Sequence, residues 1–540
     1  MKKSLLLLDC TLRDGGYYNN WDFPQEVVEA YLKAVADAGI NYVELGLRNF
    51  PKNGFLGAYA YTTEQHLNTL DLPEGPIYGV MVDAKTILSA DMDPVAAVDA
   101  LFVPRSESKV DLVRIAAHFH EVEHSASMVA RLKELGYIVG YNLMQSGGKP
   151  SELIAEKARI ATSWGDNLDV LYFADSLGNM DETEVERIIK AIRTEWTGTM
   201  GIHTHDNMSK GLDNSLTAKN NGVEWLDATI TGMGRGAGNT QTERLLAVIA
   251  QEHGYNAQPV YDLVVRHFEK MQKDYGWGTN LLYFLGAQND VHPTYIQNLL
   301  TSNFYGTDEI ISAISYLSKL DNSQSYDGLI LENAINSKNN NNTITGSYDL
   351  KSLFKNKEVL LLSNGPNTQK YKSAIELYIK EKSPIVLSVN INDYINEELI
   401  DYYVISHNVK LITDFDKYKK LQSKIILPKH RFDNDELSEL QELSILDYGF
   451  EVNESHFEVH DNYVTSPYDI TISYCLGIVT AGHCESVRLV GFDGFDKHDD
   501  RQIQMLDLLN HYNKNPNRPK LIALTPTTYT ITQSSIYAIH

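Results

Sequence analysis

The octapeptide Asp9-Cys10-Thr11-Leu12-Arg13-Asp14-Gly15-Gly16, directly behind the leucines at 5–8, decides how this chain is read. Four apolar residues closed off by an acidic residue and then a glycine pair describe a short buried strand that breaks abruptly into a loop. Two carboxylates and a guanidinium stand at its end, and the glycines let the backbone turn tightly round a ligand. Charged groups at the tip of a buried strand are costly to desolvate unless they pair or bind something. An Arg–Asp ion pair closing a barrel end would meet that demand, and so would a ligand site. Two later stretches favour the ligand.

Working outward, short apolar strands alternate with amphipathic helix patterns as far as residue 250. The pattern predicts strands at 5–8, 42–45, 77–82, 112–116, 138–143, 170–174, 201–203 and 225–230. Helices are predicted at 24–38, 120–135, 151–164, 181–194, 211–220 and 240–252. Eight such strands in about 250 residues are the arithmetic of a (β/α)8 TIM barrel. The rival, a doubly wound open sheet, lacks a GxGxxG turn after its first strand. Barrel active sites gather at the C-terminal strand ends. Here those ends carry Asp9, Arg13 and Asp14, then Glu44 and Arg48, Asp83, Asn142, Asp175 and Ser176, His203 and His205, and the glycine-rich turn 232–239.

The bulk numbers set limits. At 540 residues the chain is too long for one core. A net charge of −24 argues against nucleic-acid and anionic-membrane partners, both of which need basic surface. Three cysteines without CxxC spacing exclude a disulfide scaffold and a thiolate zinc site, and suit a reducing compartment. The leucine run is too short for a signal peptide and no stretch reaches transmembrane length, so a cytoplasmic protein is expected.

The expected organisation is a barrel over 1–254, a helical aromatic extension over 255–330, an Asn-rich linker over 331–356, and a Rossmann-like open α/β domain over 357–540. The extension is expected to cover the barrel mouth or to form an interface, which makes a homodimer the expected assembly. In the last domain strands are predicted at 358–363, 384–389, 402–405, 409–412, 424–427 and 486–490. The first ends in Asn364-Gly365-Pro366, a strand–loop–helix start that suits nucleotide phosphate.

His203-Thr204-His205 at a strand end sets two imidazoles on one side of an extended segment. With a carboxylate they form a divalent-metal set with open coordination positions. It suits Mn²⁺ or Mg²⁺ first, and Zn²⁺ or Co²⁺ as well.

These residues resemble a known superfamily. Asp9-x-Thr11-Leu12-Arg13-Asp14-Gly15, His203-x-His205-Asp206-Asn207 and Gly232-x-Gly234-x-Gly236-x-Gly238-Asn239 resemble the DRE-TIM metallolyases, nearest in flavour to their 4-hydroxy-2-oxovalerate aldolase branch. The resemblance implies a metal on Asp14, His203 and His205, with Asn239 as a further or supporting ligand. It also implies Arg13 on the oxygen of a pyruvate-type enolate and Ser176 on the 2-oxo acid carboxylate, with Glu44 and Asn142 either lining the pocket or hydrogen-bonding behind it. The substrates implied are a 2-oxo acid and an aldehyde. Where those aldolases place their acid/base histidine, this chain has Tyr17-Tyr18, and Tyr17 could serve directly or through water only if the pKa of its phenol falls for it to act as base near neutrality. Carboxyltransferases of the superfamily carry a metal-binding lysine where this chain has Ala174, which argues against that activity.

The C-terminal region resembles, more faintly, the Rossmann-like domains related to family 42 sialyltransferases, through 362–367, Asn390 and 489–494. That likeness implies a nucleotide or nucleotide-sugar near Asn364, Gly365, Pro366 and Asn390, and a part in surface-polysaccharide biosynthesis. Two other readings stand beside the aldolase: a Claisen-type acyl-CoA synthase or lyase on the same barrel, and a non-catalytic nucleotide-sugar binding protein.

Overall fold

The structure, a computed structural model, describes residues 5–52, 54–301, 307–318, 323–324, 326, 344–407, 410–411, 414–432, 437–438, 440, 443–453, 456–497 and 499–538. The asparagine run expected as a linker, 333–342, lies outside the described residues. The chain divides into two compact units, Met1–Asn298 with Asp321–Ser325, and Leu299–Leu320 with Tyr326–His540. The helical stretch expected over 255–330 is thus shared between them.

In the first unit β1 (Leu6–Asp9), β2 (Tyr42–Leu47), β3 (Ile77–Asp83), β4 (Leu112–Ala117), β5 (Ile138–Leu143), β6 (Val170–Asp175), β7 (Thr199–Thr204) and β8 (Trp225–Ala228) close into a parallel barrel in sequence order. Each strand lies within two residues of its expected place. Covered on both faces, such strands have to be apolar almost throughout, which is why they were legible as short runs. The helix expected over 120–135 is split into a 3₁₀ turn, Phe119–His124, and an α-helix, Ala126–Glu134. The Glu121 side chain accepts the His118 N–H at 2.7 Å and tightens that first turn.

Side chains alternate along each strand, so every second residue points into the barrel. The outward set, including Leu7, Val43, Val113, Val139, Leu171, Ile202 and Leu226, forms one core with the helices. The inward set starts as an apolar floor of Leu8, Leu112, Val170, Tyr172 and Trp225, with the Tyr42 ring 4.0 Å from that of Trp225. One rung further on, the inward positions become Glu44, Arg114, His203 and Asp227. The Arg114 guanidinium lies 4.7 Å above the Tyr172 ring, worth about 2 kcal/mol for a desolvated cation–π pair. Two glycines make room for these side chains. A Cβ at Gly140 would lie 2.9 Å from Arg114 Cγ, and one at Gly201 would lie 2.3 Å from the Tyr172 ring.

Segments 277–297 pack over one rim of this barrel. Trp277 Nε1 donates to Thr231 O at 3.1 Å, the Tyr18 and Tyr283 hydroxyls are 3.1 Å apart, and Gln297 Nε2 donates to Tyr17 O at 3.2 Å. The extension therefore covers part of the mouth, as one of its two expected placements required.

The second unit is built on an open sheet whose paired strands all run parallel. Its strands are β9 (Glu358–Leu362), β10 (Ile385–Val389), β11 (Tyr402–Val404), β12 (Lys424–Leu427), β13 (Ile445–Asp447), β17 (Ser486–Val490), β18 (Lys520–Ala523) and β19 (Thr532–Gln533). Their spatial order is β13-β12-β11-β10-β9-β17-β18-β19. Between β13 and β17 a small sheet forms from β14 (Gly449–Val452), β15 (Glu458–Val459) and β16 (Tyr463–Ser466). One expected strand is corrected: of 409–412, the described residues Lys410 and Leu411 are helical. They follow Val404 too closely, because a parallel neighbour needs a crossover of a dozen or more residues.

Candidate active site

The β1 end is shaped first by Asp9. Its Oδ1 accepts from Thr11 N at 3.0 Å, Thr11 Oγ1 at 2.6 Å and Tyr31 Oη at 2.6 Å, and its Oδ2 accepts from Thr242 Oγ1 at 2.6 Å. With both oxygens taken, Asp9 fixes the helical turn Thr11–Asp14 so that Arg13 and Asp14 face the barrel interior.

Arg13 and Asp14 belong to a closed ring of buried charges. Arg13 Nη1 donates to Asp14 Oδ1 at 2.8 Å, and Arg13 Nε to Glu44 Oε2 at 2.7 Å. Arg114 grips Glu44 with Nε on Oε1 at 2.8 Å and Nη2 on Oε2 at 2.9 Å. Its Nη1 donates to Asp227 Oδ2 at 2.7 Å. The same oxygen lies 3.0 Å from His203 Nδ1, and His203 Nε2 lies 3.4 Å from Asp14 Oδ2, which closes the ring. None of the six is more than 6% exposed. Removing one partner of such a buried pair costs about 3–5 kcal/mol, since the other charge stays behind.

The fields in this ring follow from its pairs. Burial pushes the Asp14 carboxyl up, but Arg13, His203 and His205 outweigh it and hold it well below the usual carboxylate range. For Glu44 and Asp227 burial is likewise overcome, chiefly by Arg114, and both are held low. Burial works against charge on His203, yet its hydrogen bonds to Asp14 and Asp227 raise it. His205 has no such partners, and burial takes it down to about 3. An ionised carboxylate only accepts, so His203 Nδ1 donates to Asp227, while Nε2 faces Asp14 and would give up any hydrogen it carries to serve as a cation ligand.

Ligand atoms of Asp14, His203 and His205 lie within 4.8 Å of one another, all buried. His205 Nδ1 and Asn239 Oδ1 are buried without a hydrogen-bond partner, and Asn239 Nδ2 donates to Asp14 Oδ2. Two imidazole nitrogens, a carboxylate oxygen and an orphaned amide oxygen are the donor set of a divalent cation with coordination positions left open. The backbone of the glycine-rich turn closes against it: a Cβ at Gly234 would lie 2.6 Å from Asn239 Nδ2 and 3.1 Å from Asp14 Oδ2.

The other expected residues divide. Arg13 Nη2 is buried and unpartnered, as is Asn142 Oδ1. Ser176 is buried, its Oγ accepting from Gln145 N at 2.9 Å. Glu44 does not line a pocket: it is fully buried and both oxygens are held by arginines. Tyr17 is 38% exposed, set edge-on to Trp21 at 4.9 Å, and its surroundings push the phenol pKa up, the reverse of what a base requires. Arg114 and Asp227 escaped the reading of the sequence. Their signal was there, a charge at an inward position of an otherwise apolar strand, in Leu112-x-Arg114 and Trp225-x-Asp227. Asp175, at the end of β6, is buried and pushed up to about 7, although backbone N–H groups of Asn179, Met180 and Gly178 oppose the shift.

In the second unit, Asn364 follows β9 and Asn390 follows β10, adjacent parallel strands, while the strand order reverses on the other side of β9, between β9 and β17. Asn364 Nδ2 donates to Ile391 O at 2.5 Å, and Asn390, with φ 61°, keeps a buried Oδ1 without a partner. The turn itself offers no cradle. Gly365 N donates to Gly491 O at 3.1 Å, Pro366 has no N–H, and Asn367 N donates to Asp493 Oδ2 at 2.8 Å.

A parallel barrel with an Asp/His/His cluster beside an ion-paired Arg-Asp turn defines a class of lyase. The chain belongs to the HMGL-like family, whose model matches residues 4–265. A 4-hydroxy-2-oxovalerate aldolase of Geobacillus thermodenitrificans (strain NG80-2) is 31% identical over 251 residues, 46% of this chain and 70% of that one. One of Carboxydothermus hydrogenoformans (strain ATCC BAA-161 / DSM 6008 / Z-2901) is 30% identical over 276 residues, 49% and 76% of the two chains. Among solved structures, the N-terminal domain of a candidate aldolase from Bacteroides vulgatus is 33% identical with a TM-score of 0.50, covering 56% of this chain and 98% of that one. Among the described residues no helix is long and apolar enough to cross a membrane.

Proposed function

We propose that this protein is a divalent-metal aldolase that makes or breaks a carbon–carbon bond between a pyruvate-type enolate and an aldehyde. The observation that carries this reading is the closed charge ring, which leaves Arg13 Nη2 buried and unpartnered on a guanidinium that is ion-paired to Asp14, a member of the Asp14/His203/His205 cluster. Asp14, His203 and His205 would hold the cation, with Asn239 Oδ1 beside them. When bound, the cation supplies Lewis-acid stabilisation of developing negative charge.

The chain's own residues do the rest. Arg13 Nη2 donates to the 2-oxo oxygen as it gains charge, a preorganised contact worth about 3–4 kcal/mol in a transition state. Glu44 and Arg114 hold that guanidinium still, and Asp227 holds His203 in one tautomer. Ser176 and Asn142 orient the 2-oxo acid carboxylate. In the addition direction the enolate carbon bonds to the aldehyde carbon, whose oxygen takes up a proton; cleavage is the reverse. Tyr17 stays protonated at neutral pH and serves as a donor rather than a base.

For the second unit we propose a nucleotide or nucleotide-sugar ligand at the C-terminal ends of β9 and β10, near Asn364, Gly365 and Pro366 and met by the unpartnered Asn390 Oδ1, and a cytoplasmic role in making a surface-polysaccharide component. Pyruvate methyl-proton exchange in deuterated buffer tests the first reading. Exchange that is lost with EDTA and restored by Mn²⁺ is expected. EDTA-resistant exchange, or trapping of pyruvate by borohydride, would replace it with a lysine Schiff base. Consumption of acetyl-CoA thioester without exchange would favour the Claisen-type alternative.

A further inference from the structure

The glycine-rich turn carries one side chain that the charge ring does not use. Arg235 follows Gly234, whose backbone packs on Asp14 and Asn239, so its Cα lies one step, about 3.8 Å, from the residue that touches the cluster. Its guanidinium carbon lies over the Tyr17 ring, 5.5 Å from the centroid, and that ring is braced in turn by Trp21. The Arg235 charge is felt at His205, His118, His292 and Asp83, groups contributed by β7, β4, the helical extension and β3. Among the described residues no acceptor pairs with it, and its Nε is shielded from solvent without a partner. Asp83, the carboxylate it acts on, forms no ion pair with it.

Arg235 is part-buried, and its one shielded donor, Nε, has no acceptor, so an anion arriving beside the site for a singly charged 2-oxo acid would meet an unused charge and an unused hydrogen-bond donor. A ligand held on the Asp14/His203/His205 cluster would have Arg235 as a neighbour, because the turn residue before it packs on Asp14 and its charge acts on His205. We propose that Arg235 is the specificity-determining residue for the acceptor, binding a carboxylate or phosphate at the far end of the aldehyde. The fork of N–H donors fits both anions in bidentate fashion. Tyr17 is its platform, a role that needs the ring and not the hydroxyl. The assignment rests on the aldolase reading and narrows it to anionic acceptors.

The test uses the full chain loaded with Mn²⁺ and pyruvate, and compares succinic semialdehyde, glyceraldehyde 3-phosphate and neutral glyceraldehyde as acceptors. Wild type is expected to favour one anionic acceptor over the neutral one in kcat/KM. Arg235→Gln should cut that preference about 10- to 100-fold, the loss of a charge-assisted contact, and Arg235→Lys should restore part of it. Whichever anion shows the larger effect names the class. A wild-type preference for the neutral acceptor, or the same preference in both variants, overturns the assignment. Equilibrium binding of succinate and of inorganic phosphate needs no turnover: equal affinity in wild type and R235Q overturns it even if pyruvate exchange fails, whereas absent exchange with Arg235-dependent binding rejects only the aldolase reading.

Discussion

Replacing Asp227 by asparagine isolates what the ring does for the metal. Asp227 Oδ2 serves two donors at once, Arg114 Nη1 at 2.7 Å and His203 Nδ1 at 3.0 Å. Asparagine keeps the shape but removes the charge, and its NH₂ group competes for the place facing a donor. Arg114 keeps its two bonds to Glu44, so the guanidinium is not stranded and the barrel should fold, with a loss of up to about 3 kcal/mol. His203 loses the carboxylate that fixes its tautomer. Partners of this kind are worth about 10- to 100-fold in metal affinity, or roughly 1.4–2.8 kcal/mol. Competition with a chromophoric chelator measures the Mn²⁺ affinity, and urea unfolding in EDTA measures the fold separately. Mn²⁺ affinity in D227N within twofold of wild type would show that the His203–Asp227 contact orients nothing, and would refute the reasoning.

Three further outcomes follow from the same geometry. Tyr17→Phe should leave the pH profile of pyruvate exchange in place; a fall of about 100-fold or more, the usual loss on removing a general base, would return that role to the phenol. Gly234→Ala should weaken Mn²⁺ binding about 10-fold or more, because the new methyl must displace the Asn239 amide or the Asp14 carboxylate; chelator titration decides it. Asp175 is raised from 3.8 to about 7, so the folded state holds a proton that the unfolded chain has released. Its contribution is present below pH 4 and is lost as pH rises to 7, up to about 4 kcal/mol in all. In metal-free protein Asp175→Asn should flatten that decline in urea-unfolding free energy, and an unchanged slope would refute it.

The barrel was legible because its strands are buried on both faces and so stand out as apolar runs between helices, as 138–143 and 170–174 do. The metal cluster was legible for a different reason: His203-x-His205 is local, and its spacing alone sets two imidazoles on one side. Arg114 and Asp227 were not, since their partners are 70 and 113 residues apart in sequence and only the closed barrel brings them together. For Glu44 the sequence left two tasks open, lining the pocket or hydrogen-bonding behind it, because nothing near it in sequence shows two arginines converging on it. The small sheet β14–β16 and the helical 410–411 escaped for a similar reason, being settled by what the neighbouring strands allow rather than by local pattern.

The ring has an electrostatic consequence. With His203 neutral, as a cation ligand must be, two guanidinium groups and three carboxylates leave the ring with one negative charge. A doubly charged cation turns that to +1, and a singly ionised 2-oxo acid brings it to zero. Cation and acid each lower the cost of the other's arrival, so their affinities should be coupled, and by the same factor in both directions.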